Sequence, residues 1–476
     1  MLSWDVKNNM FFEYLLENVE KYPDKLAVKD SVRMITYREL WEEVKKKQSG
    51  AKQKGITGAT KVLLAKNNSC DWITDFLALA VLGAKVVMLS ADTKEEQMKM
   101  IASKLDISII ITEENSDKFF GGICKEDKLN DKFPDKNCEM VYHVTSGSTG
   151  EFKVCIRTVG QFVAEGEMFH DKLKITKDDI IICPLPVYHS YAFGAVIISG
   201  LMAGSEIVLL EKFTPRNYLR QLVSNQATVS VAVPAMVRLL VNVHLKEKID
   251  LSYMRYLVIG AGTVTEEIFS AFRDKFNLQL SSNYGSSETG GIFTGTGENF
   301  PSVGQPMKNV NVQIRTEEGL QVKTGSEGRL WVKAPSVMNC YYGKEDVFDR
   351  NGYFFTGDLA KADYKGNIYI TGRVKNVVNI GGKKVNPVYI ETVIRSCPCV
   401  NDVVVIGDKR QTGEEYLGAV ITGSHDLTSS QIRSFLEERL ESYMLPSILR
   451  IVNTIPRNSL GKVKKESILS LLKKHV

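Results

Sequence analysis

The sequence has no long uncharged apolar run, although 43% of its 476 residues are hydrophobic. A helix that crosses a membrane needs about 20 consecutive apolar residues, so no membrane span is expected. The opening stretch MLSWDVKNNMFFEYLLENVEKYPDK carries acidic side chains and lacks the apolar segment of a secretion signal. Both absences favour a cytoplasmic location.

Closely spaced cysteines are scarce as well. Of eight cysteines, only Cys397 and Cys399 are near neighbours, in the tripeptide CPC. Structural zinc sites usually combine two such pairs, so we expect neither a metal centre nor a disulfide framework here. Reduced thiols are typical of a cytoplasmic protein.

Neither sign of charge dominates. Lys and Arg number 61 and Asp and Glu 56, which leaves a net charge of +5. A mild, dispersed excess suits anionic metabolites and does not indicate a nucleic-acid partner. The length of the chain indicates two or three domains, and no repeat or low-complexity linker separates them.

Apolar runs alternate with amphipathic stretches over the first three-quarters of the chain. Lys61–Ala65 has the pattern of a strand, and Gly83 and Gly204 each end a helix just before another strand. Pro234 opens a helix, and Thr263, in TVTE, predicts the capping box of the next one. Such alternation predicts an α/β fold with parallel sheets covered by helices.

The pattern changes from about Asn309, where short strands are separated by glycines and charged turns. After Arg373 comes a stretch with its own strands and two amphipathic helices. We therefore predict a large N-terminal domain (residues 1–373) of βα subdomains with a small β-barrel unit. Residues 374–476 are predicted to form a small α+β C-terminal domain.

The stretch VTSGSTGEFK is rich in hydroxyl groups and glycine and follows a mostly apolar run. Closely spaced backbone N–H groups and hydroxyls form a nest for phosphate, although an ordinary surface loop has the same composition. The spacing is not that of a P-loop NTPase, because Glu151 and Phe152 separate Gly150 from Lys153. The residues of this loop are Thr145, Ser146, Gly147, Ser148, Thr149 and Gly150.

Four further polar loops follow in order: NYGSSETGG, YFFTGDLA, TGRVKNVVNIGGKK and PRNSLGKVKK. Each alone is also compatible with a turn, a helix cap or solvated charge. Together they resemble the adenylate-forming enzymes, which comprise acyl-CoA synthetases, aryl-acid ligases, luciferases and the adenylation domains of peptide synthetases. The segments YPDKLAVKD, VGQP and IPRNSLGK extend the resemblance over essentially the whole chain.

The resemblance implies how ATP is bound. Residues 145–150 and Lys153 would hold its β- and γ-phosphates, and Tyr284 would stack on adenine. The other residues implied in nucleotide binding are Gly260, Gly262 and Asn283 near adenine, and Asp358 and Arg373 at the ribose.

The resemblance also implies the catalytic residues. Glu288 would bind Mg²⁺, Ser287 would contact the α-phosphate, and Lys462 would bridge the incoming carboxylate and that phosphate. Mg²⁺ and the ammonium group of Lys462 would neutralise the carboxylate and the α-phosphate, which meet in the transition state. The small domain would then swing about Lys375, and a thiol would attack the acyl-adenylate. Surface charge is the alternative interpretation of Lys375.

The sequence departs from the pattern beside the lysine of the first loop. Phe152 replaces the usual proline, and Val154 replaces the usual glycine. Proline restricts backbone φ, so we expect Phe152 to leave the exit of the loop more mobile.

The acid pocket is assigned to His189, Tyr191 and Gly285 by the same resemblance. Amino-acid-activating members carry an aspartate in this segment, whereas no acidic residue lies between Asp179 and Glu206. We therefore expect a fatty or aryl acid. His189 is interpreted either as a pocket wall and gate or as a general base.

The sequence thus predicts an ATP- and Mg²⁺-dependent, AMP-forming carboxylic acid:thiol ligase with coenzyme A as acceptor. Transfer to the phosphopantetheine of a carrier protein is an alternative, because the motifs serve both acceptors. A non-catalytic acyl- or nucleotide-binding relative is a second alternative.

Overall fold

The structure is a computed structural model that describes residues 11–121, 133–146, 152–245, 249–262, 265–380, 383–410, 414–457 and 463–473. The chain divides into two compact units. The first comprises Met1–Asn311 and Lys333–Phe354, and the second comprises Val312–Val332 and Phe355–Val476. Within the described ranges, every helix is too short or too polar to span a membrane.

The strands of the first unit form two sheets. They are β1 (Leu26–Lys29), β2 (Met34–Thr36), β3 (Lys61–Ala65), β4 (Lys85–Leu89), β5 (Ile109–Thr112), β6 (Glu139–Ser146), β7 (Phe152–Thr158), β8 (Ile180–Cys183), β9 (Glu206–Leu209), β10 (Val229–Ala232), β11 (Tyr256–Ile259), β12 (Leu280–Ser286), β13 (Gly290–Gly295), β14 (Gln305–Pro306) and β17 (Cys340–Tyr341). One sheet has the order β14-β13-β12-β11-β10-β8-β9-β1-β2, and the other has the order β17-β7-β6-β4-β3-β5.

Both sheets have parallel centres buried on two faces. β3 pairs in parallel with β4 and β5, and β8, β10 and β11 continue a parallel set with β9 and β12. Val62, Leu63 and Leu64 are consecutive and all fully buried, which requires cover on both faces of the sheet. The predicted α/β class is confirmed.

Helices cover these faces, and several begin at a side-chain cap. Thr36 and Thr158 each form a reciprocal capping box with the third residue of the helix that follows. The helices are α1 (Phe11–Lys21), α2 (Tyr37–Gln53), α3 (Cys70–Val81), α4 (Glu95–Leu105), α5 (Ser116–Phe120), α6 (Val159–Leu173), α7 (Ser190–Ala192), a π-helical segment (Phe193–Ile198), α8 (Ser199–Ala203), α9 (Pro215–Ser224), α10 (Pro234–Asn242) and α11 (Glu266–Phe276).

Most of the predicted helix boundaries agree with the structure. Gly83 and Gly204 have φ of 75° and 76°, a left-handed conformation that glycine adopts without strain. Pro234 is the first residue of α10. The predicted cap of α11 is wrong, because the helix begins at Glu266, two residues later than a cap at Thr263 would place its start. Thr265, and not Thr263, is the N-cap, and its hydroxyl accepts the N–H of Ile268 at 3.4 Å.

The second unit contains three small sheets. Its elements are β15 (Asn311–Arg315), β16 (Gly328–Lys333), β18 (Phe354–Ala362), β19 (Ile368–Arg373), a 3₁₀ turn (Val374–Asn376), β20 (Val378–Ile380), β21 (Lys383–Val385), α12 (Pro387–Arg395), β22 (Val400–Lys409), β23 (Glu415–Gly423), α13 (Ser429–Glu437), a 3₁₀ turn (Ser442–Met444), β24 (Ile448–Ile451) and α14 (Lys465–Lys473). The sheets have the orders β15-β16-β18-β19, β20-β21 and β22-β23-β24. Ile390 of α12, Ile432 of α13 and Ile468 of α14 are fully buried in its core.

The antiparallel hairpin of β6 and β7 has one apolar face. Tyr142 pairs with Ile156, and Val144 with Val154, so these four side chains point the same way. They pack with Phe152 in a cluster that includes residues of β3, β4 and α4. Strand alternation therefore explains both departures from the family pattern: Phe152 and Val154 put apolar side chains on the core face.

Phe152 is also fixed by a neighbouring lysine. Lys104 of α4 places its Nζ 4.4 Å from the centre of the Phe152 ring and 3.4 Å from the Phe152 carbonyl oxygen. Phe152 is the first residue of β7, and the expectation that it leaves the exit of the loop more mobile stays a prediction.

Restoring the family's glycine at position 154 tests this account of β7. Val154 is 3% exposed, so Val154→Gly should lower the free energy of unfolding by about 2–3 kcal/mol through lost burial and added backbone freedom. Urea denaturation measures the change. Lys153→Ala, on the opposite face, is the control, with an expected change within about 0.5 kcal/mol. Equal stability of Val154→Gly and the natural protein would contradict the assignment of faces.

Candidate active site

The other face of the hairpin carries the polar side chains. His143 and Thr145 on β6 alternate with the apolar residues, as do Lys153, Cys155 and Arg157 on β7. The predicted phosphate-binding residues Thr145, Ser146 and Lys153 lie within two residues of the strand ends that flank the loop. The Thr145 hydroxyl donates to the Lys153 carbonyl at 3.4 Å. Gly147, Ser148, Thr149 and Gly150 lie outside the described residues.

Lys153 is connected to Glu288 through an aromatic side chain. Its Nζ lies 5.1 Å from the centre of the Tyr341 ring, and the Tyr341 hydroxyl donates to Glu288 Oε1 at 2.7 Å. The backbone of Glu288 is fixed too, since its carbonyl accepts the N–H of Met338 at 2.6 Å. The structure therefore brings two predicted residues together through Tyr341, which the sequence analysis missed.

Ser287 links this region to the predicted acid pocket. Its carbonyl oxygen lies 3.1 Å from Cys155 Sγ, and its hydroxyl lies 3.1 Å from that of Ser190, which directly follows His189. His189 Nδ1 accepts the N–H of Tyr191 at 3.3 Å and so caps the short helix α7. The bond leaves Nε2 as the protonated nitrogen when the ring is neutral.

Tyr191 and Asn283 converge on Gly260. The Tyr191 hydroxyl donates to the Val258 carbonyl at 3.0 Å, and burial raises the pKa of the phenol well above its usual range. A Cβ on Gly260 would lie 3.1 Å from the Tyr191 ring and 3.2 Å from the Asn283 carbonyl oxygen. Gly285 is even more restricted, because a Cβ there would lie 2.1 Å from the Gly290 carbonyl oxygen. These glycines keep the backbone segments in close contact.

Tyr284 is half-buried and belongs to β12. Its ring stacks on Phe293 of β13 with centroids 5.4 Å apart and planes 26° apart. The two residues are register partners across the strands, so the sheet itself fixes the orientation of the Tyr284 ring. Gly262 lies beside the first residue of α10, since a Cβ on it would meet Pro234 Cγ at 3.1 Å.

A buried ion pair, which the sequence analysis did not identify, lies in the same unit. Arg157 Nη2 is 2.7 Å from Glu165 Oε2, and both side chains are almost completely buried. Glu165 Oε1 accepts the N–H of Gly291 at 2.8 Å, and a Cβ on Gly194 would collide with the Glu165 carboxylate. The carboxylate beside the pocket segment therefore belongs to Glu165 of α6. The only sequence signal was the alternation in KVCIRT, which puts Arg157 on the face of Lys153.

In the second unit, Asp358 and Arg373 form a cross-strand pair. They are register partners on β18 and β19, and Arg373 Nε lies 2.7 Å from Asp358 Oδ1. Asp358 is buried, whereas the Arg373 side chain is 49% exposed. The Asp358 backbone N–H donates to the Thr356 hydroxyl, which holds the turn before it. The pairing fixes the carboxylate oxygens, as recognition of two ribose hydroxyls would require.

The two remaining predicted residues are Lys375 and Lys462. Lys375 is exposed in the 3₁₀ turn Val374–Asn376, between β19 and β20. Lys462 lies outside the described residues. The strand residues on either side of its loop, Arg457 and Val463, pair across an antiparallel bridge.

Removal of the Tyr341 hydroxyl tests the connection to Glu288. Tyr341→Phe deletes the 2.7 Å bond to a carboxylate, so we expect KM for Mg·ATP to rise about tenfold. Steady-state kinetics at varied Mg²⁺ measure the effect. Tyr342→Phe is the matched control, because its hydroxyl contacts Lys61 instead. An unchanged KM for Tyr341→Phe would show that the bond does not orient Glu288 in the working enzyme.

The fold of the chain is similar to that of solved structures. ATP-bound MatB from Rhodopseudomonas palustris matches with a TM-score of 0.87 at 23% identity, over 97% of this chain and 99% of that one. O-succinylbenzoate coenzyme A synthetase from Bacillus subtilis, in complex with ATP and a magnesium ion, matches with a TM-score of 0.86 at 20% identity, over 96% and 99%. The chain therefore has the fold of an adenylate-forming enzyme.

Sequence comparison gives the family. Residues 15–342 match the AMP-binding enzyme family, and residues 389–462 match the AMP-binding enzyme C-terminal domain. The chain belongs to the AMP-binding enzyme family. It is 25% identical to a 2-succinylbenzoate–CoA ligase of Bacillus mycoides, over 96% of this chain and 98% of that protein.

Proposed function

We propose that the chain is an AMP-forming carboxylic acid:coenzyme A ligase. In the first step the acid carboxylate attacks the α-phosphorus of ATP, and pyrophosphate leaves. In the second step the thiol of coenzyme A attacks the acyl-adenylate carbonyl, and AMP leaves. The observation that carries the proposal is the set of contacts that joins Lys153, Tyr341 and Glu288, next to the Ser287–Ser190 contact.

Each candidate site residue has a proposed role in the first step. Lys153 would bind the phosphates that become pyrophosphate, and the Ser287 hydroxyl would contact the α-phosphate. Lys462 would neutralise the charge that develops where carboxylate and phosphate meet. Asp358 and Arg373 would hold the ribose, and Tyr284 would stack on adenine.

Glu288 fits a magnesium ion held mainly by substrate. Mg²⁺ in such sites takes one or two carboxylates plus phosphate oxygens, and it neutralises charge on the phosphates. Within the part of the chain that the structure describes, no group of three or more His, Cys, Asp and Glu side chains gathers into a metal cage. Glu288, which the Tyr341 hydroxyl orients, would supply a carboxylate ligand.

The domain movement is also part of the proposal. A functional boundary after residue 373 places Lys375 at the hinge, and its exposed 3₁₀ turn joins two strands without burying its side chain. A few residues at the end of an element commonly absorb such a rotation. The same movement would exchange Lys462 for residues 380–384 between the two steps.

Coenzyme A is proposed as the acceptor, and a carrier protein is the alternative. The family relatives that are named as CoA ligases support this choice. A cytoplasmic location is likewise proposed, since all seven cysteines in the described ranges are free thiols.

Acid-dependent exchange of pyrophosphate into ATP tests the proposal. We expect exchange with at least one fatty or aryl acid from a panel, and none without acid. If nucleotide binds but no acid supports exchange, the adenylation proposal fails, and a non-catalytic binding protein becomes the better description.

A further inference from the structure

Two side chains on the polar face of the hairpin have buried nitrogens without hydrogen-bond partners. His143 is 3% exposed, and neither of its ring nitrogens has a partner among the described residues. Arg157 is fully buried, and its Nε and Nη1 likewise lack partners there. Buried polar groups are nearly always satisfied, and each unsatisfied one costs about 1–3 kcal/mol. Four such atoms on two adjacent strands call for a functional reason.

The surroundings are aromatic and electrically neutral. The His143 ring lies 6.2 Å from the rings of Phe162 and Phe193, and the Arg157 guanidinium lies 4.1 Å from the centre of Phe162. Glu165 neutralises Arg157 through Nη2. Burial, and then the charge of Arg157, lowers the pKa of His143 well below its usual range, so the ring is neutral. Glu165 Oε2 and the unprotonated ring nitrogen of His143 also lack hydrogen-bond partners among the described residues, so the cluster has three donor nitrogens and two acceptor atoms unpaired and no surplus charge.

The cluster contacts the segment that is proposed to line the acid pocket. Residues i and i+2 of a strand lie on the same face, about 7 Å apart. His143 is therefore about 7 Å from Thr145 along β6, and Arg157 is about 13 Å from Lys153 along β7. Phe193 and Gly194, which follow Tyr191 in the pocket segment, contact His143 and Glu165. An acid that reacts near Ser287 would thus extend its tail toward these nitrogens.

The segment that shields the cluster has unusual geometry. Phe193 begins the π-helical segment Phe193–Ile198, and such segments are rare and frequent at functional sites. A ligand that reaches His143 must displace an apolar ring, and Phe193 is one of the two that cover it. Hydrogen bonds from three donor nitrogens, namely Nε and Nη1 of Arg157 and the one protonated ring nitrogen of His143, would offset that displacement.

We propose that His143 and Arg157 recognise an oxygen acceptor on the tail of the activated acid. The proposal rests on the ligase function and specifies its substrate class: an acid that carries a keto or hydroxyl oxygen, or a second carboxylate, several bonds from the reacting carboxyl group. A purely hydrocarbon tail would leave the donors unpaired, and a site built to hydrogen-bond its substrate discriminates strongly against analogues that lack the group.

His143→Phe tests the proposal, with pyrophosphate exchange as the readout. The probes are hexanoate, an oxohexanoate and adipate, together with phenylbutanoate and its keto derivative. The natural protein should prefer an oxygenated acid over its unsubstituted analogue, and His143→Phe should reduce that ratio of kcat/KM at least about tenfold. The conservative variant His143→Gln should retain part of the preference. A preference for adipate would identify a carboxylate as the acceptor, and one for the keto acids an uncharged oxygen.

Thermal stability gives a second, independent readout. Phenylalanine fits among Phe162 and Phe193 and removes two unsatisfied nitrogens, so the Tm of free His143→Phe should rise by about 1–3 °C. His170→Phe is the matched control: its Nε2 lies 2.7 Å from the Ser199 carbonyl, so Tm should fall and the acid preference should not change.

The two levels of the proposal fail separately. Absence of exchange with every acid would overturn the ligase function. Exchange with equal preference for oxygenated and unsubstituted acids, or a ratio unchanged in both His143 variants, would overturn the role of His143 and leave the ligase function intact.

Discussion

Lys462→Ala is expected to reduce acid-dependent pyrophosphate exchange by about two to three orders of magnitude. The lysine would stabilise charge that develops only while carboxylate attacks the α-phosphate, so its loss should act on that step. Thioester formation from preformed acyl-adenylate should stay close to the natural rate, because in that step the small domain would have moved the lysine away. The two half-reactions are measured separately, with isotopic exchange and with synthetic acyl-adenylate plus coenzyme A.

The flanking structure allows this change to be interpreted. Arg457 Nη2 lies 2.7 Å from Asp402 Oδ2 on β22, and Arg457 also pairs with Val463, so both ends of the loop are anchored. An alanine within the loop should not disturb those anchors. Lys465→Ala, at the exposed start of α14, is the control and should leave both half-reactions unchanged. Equal loss of the two half-reactions in Lys462→Ala would refute the role that we assign to the lysine.

Asp358→Asn is expected to raise KM for ATP by about two orders of magnitude. A carboxylate accepts one hydrogen bond from each ribose hydroxyl, and a bond to a charged group contributes about 1.5–3 kcal/mol. The amide retains one acceptor oxygen and replaces the other with a donor, and it also loses the 2.7 Å ion pair with Arg373. Steady-state kinetics with varied ATP measure the change.

Deoxynucleotides separate ribose recognition from a structural effect. The natural protein should bind deoxy-ATP more weakly than ATP. Asp358→Asn, which already lacks the contact, should bind the two nucleotides with nearly equal affinity. Asp363→Asn, in the turn between β18 and β19, is the control, because the hydrogen bonds of its carboxylate within the described residues go to Lys365 and Asn367 in the turn and to Tyr369 at the start of β19. If Asp358→Asn and the natural protein discriminate equally against deoxynucleotides, Asp358 does not bind the ribose.

Regular elements were predictable where one residue determines a local conformation. β3 begins and ends at the predicted residues because its apolar run is bounded by polar positions, and Gly83 and Gly204 end helices through positive φ. The cap of α11 was mispredicted because TVTEE contains two threonines that could cap a helix. Thr263 stands three residues before Glu266, as a capping box requires, whereas Thr265 directly precedes Glu266. Which threonine caps depends on how the preceding strand places the chain, and the sequence does not contain that information locally.

Candidate site residues could be predicted from the sequence only where they belong to recognisable loops. Glu288, Ser287, Asp358 and Arg373 stand in motifs, and the structure pairs the last two across strands. Tyr341 has no motif around it, and it reaches Glu288 because β17 pairs with β7, a contact between residues far apart in sequence.

The buried cluster shows the same limit more strongly. The pocket segment itself has no acidic residue, and Glu165 of α6 reaches Gly194 only in the folded chain. Glu165 forms an ion pair with Arg157, so its charge is already neutralised and does not call for the α-ammonium group of an amino-acid substrate. Phe152, by contrast, follows from strand alternation once β7 is recognised as a strand.

Mass detection of the products tests the central claim most directly. The purified protein is incubated with Mg·ATP, coenzyme A and each acid, with the oxygenated acids included. The account predicts that one acid yields its acyl-CoA thioester together with an equal amount of AMP, and that both products require that acid. Formation of ADP in place of AMP, or the absence of AMP and acyl-CoA with every acid, would contradict it.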